Sequence, residues 1–179
     1  MSAVSRKAGR RCTPFWSTKA VAMATMGIST NTRLLGMAII TEEGLAVHKV
    51  YLHKSPWSPS KANLIISSLE PCVRQYCIRS VVLSIPPRHH QTKAFYELRT
   101  LLREYFLKRN IVFSEKTVAD LYAFCKGKQR RTKVKVLQAL IKRYPELTPF
   151  YQKELRNKAK YYTKLFEAVG MATLHQSNS

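Results

Sequence analysis

The residues best equipped for chemistry in this chain are cations. Between residues 126 and 164, thirteen Lys and Arg stand against Glu146 and Glu154, which is more than half of a whole-chain excess of +21. Lys126, Lys128, Arg130, Arg131, Lys133 and Lys135 open that stretch as a basic loop entering a helix, suited to tracking a phosphate backbone. Tyr144, Tyr151, Tyr161 and Tyr162 are interleaved and could stack on bases, although more than half of them are expected in the core. A second polar group is the turn Ser29-Thr30-Asn31-Thr32-Arg33. There Thr32 and Arg33 bring a hydroxyl and a guanidinium to a strand end, where backbone N–H groups and an Arg fork can hold a phosphate. A third is Arg88-His89-His90, directly after Pro86-Pro87. These loop residues are expected to touch phosphate rather than to act as acid and base, since no nucleophile accompanies them in sequence.

Acid is scarce. Lys and Arg number 31 against 10 Asp and Glu, Asp120 is the only aspartate, and no acid precedes Glu42. That counts against an enzyme needing several carboxylates around metal ions. The four cysteines provide neither a disulfide framework nor a zinc-ligand spacing. Six glycines scattered singly exclude a P-loop or dinucleotide fingerprint, and no Ser-His-Asp arrangement is credible around one aspartate. No apolar run reaches the roughly 18 residues that cross a bilayer. Pro14, Ser17, Thr18 and Lys19 interrupt what would have to be a secretory signal. With 45% hydrophobic and 23% charged residues, the chain reads as globular and cytoplasmic, without a membrane partner. Residues 1–22 read as a basic arm; an organellar transit peptide over residues 1–25, or a start at Met23 or Met26, are the alternatives.

The elements that must position these groups follow from periodicity. Ala24 to Ile28, Leu34 to Ile40 and Leu45 to His53 predict three strands of an antiparallel meander. Ala62, Ile65, Ile66, Leu69, Val73 and Tyr76 predict a helix with Ser60 as its N-cap, kinked or broken near Leu69 by Pro71. Val81 to Ile85 reads as a central strand. Phe95 to Phe106 is the clearest amphipathic helix, and Ile111 to Ser114 is a fifth strand. Helices are expected over Val118 to Cys125 and Val134 to Ile141. A last helix should carry Leu155, Tyr162, Leu165, Phe166 and Val169 on one face and end by Gly170 or a turn beyond. Residues 23–174 thus form one α/β domain, a mixed five-stranded sheet flanked by helices, followed by a polar tail at 175–179.

This order of elements is that of the ribonuclease H-like fold. Gly27-Ile28-Ser29-Thr30-Asn31-Thr32-Arg33-Leu34-Leu35-Gly36-Met37-Ala38 resembles the first hairpin of RuvC-type Holliday-junction resolvases and their YqgF relatives. In that pattern Gly27, Ile28, Thr32, Arg33, Gly36 and Ala38 match at the right spacing. Val81 to Pro86 resembles the family's central strand, and Phe166 to Val169 the start of its closing helix. The resemblance implies a nuclease that holds two Mg²⁺ or Mn²⁺ ions on carboxylates from separate elements. Here the departures matter more than the matches. The family's first Asp falls on Ser29, its second acid falls on Ser84 or Ile85, and one turn before Glu167 stands Lys164. Glu167 alone remains acidic and is expected to be a structural partner for Arg33 or another base.

The resemblance with these departures implies a structure-dependent nucleic-acid-binding protein, taking branched DNA or structured RNA and lacking nuclease activity. It would need no cofactor and could act as a homodimer. One alternative is an active endonuclease with Mg²⁺ or Mn²⁺ on relocated carboxylates, Glu115, Asp120 and Glu167. Another is a basic protein-interaction subunit of a ribonucleoprotein or DNA-processing complex.

Overall fold

The computed structural model describes residues 24–124, 132–157 and 160–177. Its centre is a five-stranded sheet in the order β3-β2-β1-β4-β5, formed by β1 (Ala24–Thr30), β2 (Leu34–Thr41), β3 (Gly44–Leu52), β4 (Ile78–Ile85) and β5 (Val112–Thr117). The first three strands are antiparallel, and β4 and β5 run parallel to β1. Every residue of β1 is buried, because helices cover both of its faces, whereas β3 is an edge strand with a mixed pattern. Gly44 closes the β2–β3 turn at φ 124°, a left-handed value that a glycine adopts without strain.

One face of the sheet packs on α1 (Pro59–Ser67), α2 (Glu70–Gln75) and α3 (Lys93–Leu107), through Met26, Ile28, Leu83, Ile65, Leu98 and Phe106. The Ser58 hydroxyl, not Ser60, caps α1 by accepting from the Lys61 N–H at 3.1 Å. The break expected near Pro71 is present, with α1 and α2 meeting at Leu69. Glu70 then ties α2 to α3, accepting from the Tyr105 hydroxyl, from Arg74 at 2.8 Å and from Arg109 at 3.1 Å. The Tyr105 hydroxyl and then Arg74 hold the Glu70 pKa down at about 2, against an ordinary 4.5. Its stabilising contribution is therefore present above pH 4.5 and lost as pH falls towards 2. Glu70→Gln is expected to remove that part of the acid unfolding, read by far-UV circular dichroism against pH.

The other face carries α4 (Val118–Phe124), α5 (Lys133–Arg143), α6 (Thr148–Arg156) and α7 (Thr163–Gln176). α7 lies over β1 and β2, with Leu165, Phe166, Ala168, Val169 and Met171 against Ala38, Ile40 and Val82. The single last helix expected from Leu155 to Gly170 is in fact two. Buried Glu154 in α6 turns back and accepts from the Tyr162 N–H at 2.9 Å and the Thr163 hydroxyl at 2.5 Å, so α7 starts afresh at Thr163. Leu155 is exposed and shares no face with Tyr162. α7 runs through Gly170, where a β-carbon would stand 2.5 Å from Leu121 Cδ1, and continues past Leu174 to Gln176. β5 is also longer than expected, so Glu115 lies within the strand and not after it.

Candidate nucleic-acid interface

β1 and β4 pair in parallel with Ser29 opposite Ser84, so both hydroxyls sit at the C-terminal end of the sheet on the face that α7 covers. The two hairpin glycines explain how near the helix comes. A β-carbon at Gly27 would stand 1.9 Å from the Ala168 carbonyl oxygen, and one at Gly36 2.1 Å from that of Lys164. Gly36 is the register partner of Ser29, so this approach lowers the start of α7 onto the serine.

The result is a four-group cluster. The Ser29 hydroxyl donates to Glu167 Oε2 at 2.5 Å, and Lys164 Nζ donates to the same oxygen at 2.7 Å. Ser29 is 0% exposed and Ser84 2%, while the side chains of Lys164 and Glu167 keep 17% and 16%. Ser84 Oγ is buried with no partner among the described residues. A lysine in the first turn of a helix opposes the macrodipole, so Glu167 and not the helix end stabilises Lys164 there. The negative charge of Glu167 in turn adds to burial in raising the pKa of nearby Tyr122.

This donor set does not fit a pair of divalent cations. Two adjacent dications need anionic bridging oxygens. Ser29 and Ser84 are neutral, and the one carboxylate already carries an ammonium. Among the described residues no group of three or more His, Cys, Asp or Glu stands where it could hold a metal ion. The relocated constellation is not assembled. Glu115 projects from β5 on the side of Leu83, the α3 face, where Arg99 (2.5 and 2.8 Å) and Arg103 (3.0 Å) hold it. Arg99 above all keeps its pKa below the usual carboxylate range. Asp120 accepts from the Thr117 N–H and hydroxyl at 2.7 and 2.8 Å at the start of α4, and these bonds lower its pKa. Glu167 does pair with a base, which is Lys164 and not Arg33, and Ser29 shares it.

The basic candidates divide into three groups. Thr32 and Arg33 follow β1, and Arg88 and His89 follow β4 in an exposed 3-10 turn, so all four gather at the end of the sheet where Ser29 and Ser84 lie. The expected backbone phosphate nest in the first turn is corrected, because Asn31 Oδ1 already accepts from the Arg33 and Leu34 N–H groups at 2.8 and 2.6 Å. The guanidinium of Arg33 is exposed. Lys133 donates to the Thr163 hydroxyl at 2.6 Å and lies 3.5 Å from Glu154, so it anchors α5 to the start of α7. With Tyr122 and Glu167 it lines one small cavity. Lys135 is half-buried. Lys126, Lys128, Arg130 and Arg131, with the arm at residues 1–22, lie outside the described residues. Of the tyrosines, Tyr144 is buried, Tyr151 packs on Phe166 and Tyr162 on Phe150.

A wider groove of about 1130 Å³ lies at the opposite end of the sheet, beside Thr25 and Ser80. Glu42, Glu43 and Glu146 line it, three of the chain's ten acids. No helix among the described residues is long and apolar enough to cross a membrane.

No protein-family model matches the chain, and no curated protein matches its sequence. Solved structures do. RuvC from Thermus thermophilus superposes with a TM-score of 0.65 at 16% identity, covering 86% of this chain and 93% of that one. The T. thermophilus RuvC complex with a Holliday junction substrate gives 0.66 at 15% identity over the same shares of the two chains, 86% and 93%. The Fowlpox virus resolvase bound to Holliday junction DNA gives 0.57 at 14%, covering 87% and 98%. The mixed sheet with helices on both faces is a ribonuclease H-like α/β fold. Within that class its fold is similar to that of the RuvC and poxvirus resolvase structures.

Proposed function

We propose that this chain binds branched DNA or structured RNA through backbone phosphates and does not cleave it. The observation that carries this reading is the internal neutralisation of Glu167 by Lys164 and Ser29. A bare carboxylate in the middle of a phosphate-binding edge would repel its ligand. Two unit charges 4 Å apart at an effective dielectric of 20 interact by about 4 kcal/mol, more than a typical single phosphate contact returns. With Lys164 in place the cluster is neutral, and Arg33 and Arg88 set the sign of the edge. Arg guanidinium groups suit phosphate oxygens as bidentate donors, and each phosphate neutralised releases counterions. That two structures sharing this fold were determined with Holliday junctions supports a branched nucleic acid as the ligand class.

The test is a four-way DNA junction and a stem-loop RNA, titrated at several salt concentrations and incubated with Mg²⁺ or Mn²⁺. Binding is expected to weaken steeply with salt. Arg33→Ala and Arg88→Ala should each lower affinity about three- to tenfold and reduce the salt slope by about one. No nicked product is expected. Metal-dependent cleavage that disappears in Glu167→Gln would overturn the reading.

A further inference from the structure

On the other face of the same sheet end, a buried lysine stands without a balancing carboxylate among the described residues. Lys61, in the first turn of α1, is 4% exposed. Its ammonium donates to the Ser55 carbonyl, the one acceptor it has among the described residues. An ammonium carries three donors, so two remain. His53 directly follows β3, and its backbone N–H donates to the Arg33 carbonyl at 2.8 Å. Its Nε2 is buried with no partner among the described residues. Burial, and then the charge of Lys61, lowers the His53 pKa. Arg33, tied to His53 by that backbone bond, is exposed.

A methionine at position 61 would fill the same space without desolvating a charge. A buried ammonium short of acceptors, whose charge is felt by an imidazole with a buried nitrogen unpartnered among the described residues, is an arrangement that an oxyanion completes. We infer that Lys61, His53 and Arg33 form a seat for one phosphate group. The remaining Lys61 protons and the Nε2–H tautomer of His53 would donate to its oxygens, and the Arg33 fork would close over it from solvent. The seat rests on the reading of this sheet end as a nucleic-acid interface, and the phosphate it takes is one of the backbone.

The experiment follows the ring signals of His53 by ¹H–¹³C NMR as inorganic phosphate is added to the full chain, to Lys61→Met and to Arg33→Ala. A saturable shift is expected in the parent chain, lost in Lys61→Met and weakened in Arg33→Ala, whose exposed side chain is not needed for packing. In parallel, Lys61→Met should weaken binding to a four-way junction about fivefold and lower the salt slope by about one. Its melting temperature should be unchanged or raised, because an uncompensated buried charge has gone. His53 signals indifferent to phosphate, or moved equally in Lys61→Met, would overturn the seat. So would a lowered melting temperature with unchanged affinity, which makes Lys61 a strap for the loop at Ser55. A phosphate response without junction or RNA binding would keep the seat and sink the nucleic-acid reading.

Discussion

Gly27→Ala and Gly36→Ala are each expected to unseat α7, at a cost of about 3 kcal/mol or more. Overpacking is usually relieved by a side chain swinging aside, and here there is none to swing. The atoms that a new β-carbon would meet are backbone, the Ala168 and Lys164 carbonyls at 1.9 and 2.1 Å. Relief therefore requires the helix to lift from β1 and β2, taking Leu165, Phe166, Val169 and Met171 out of the core. Chemical denaturation would read this as a large fall in the midpoint. Nucleic-acid affinity should fall with it, because Lys164 and Glu167 move with the helix. Full stability in Gly36→Ala would mean that the helix does not approach this closely.

The second large effect is expected from Ser29→Asp. Ser29 is 0% exposed and its hydroxyl lies 2.5 Å from Glu167, so an aspartate there would press two carboxylates together with one ammonium between them. The new aspartate would have its pKa raised by the charge of Glu167, costing about 4 kcal/mol once it is ionised. A pKa raised on folding penalises the ionised form. The loss should therefore be complete above the raised folded pKa, near neutral pH, and vanish below the ordinary aspartate value of about 4. Unfolding midpoints of the variant and the parent chain at pH 5 and pH 8 test this, with the larger gap expected at pH 8. A gap that does not change with pH would place the damage in packing rather than in charge.

Much of the fold was legible in the sequence because it is written in local patterns. The hairpin residues Gly27 to Ala38, the break at Pro71 and the run Val81 to Ile85 all fell where their periodicity placed them. Ser29, and Ser84 or Ile85, were recognisable as departures, and the register sets Ser29 and Ser84 side by side. What stayed hidden depends on partners distant in the chain. Glu154 looked like one charge in a basic stretch until its fold-back onto Tyr162 and Thr163 divided the last helix. Asn31 looked like turn filler, yet its carboxamide takes the N–H groups that a phosphate would have used. The i,i+3 spacing of Lys164 and Glu167 was a local signal available for their pairing. That Ser29 shares the same carboxylate oxygen depends on how closely a helix settles over two glycines, which no local pattern records.

The Lys164–Glu167 pair also has a consequence for supply. A divalent ion must be captured from solution, so a site built on one is filled in proportion to the free metal and can be emptied by a chelator. An ammonium on its own side chain is always present, at an effective concentration set by the tether and not by the surroundings. Binding through this edge would then be the same in magnesium-rich and magnesium-starved conditions apart from general screening, and EDTA would leave it intact. The positive charge at this end of the sheet is encoded in the chain itself.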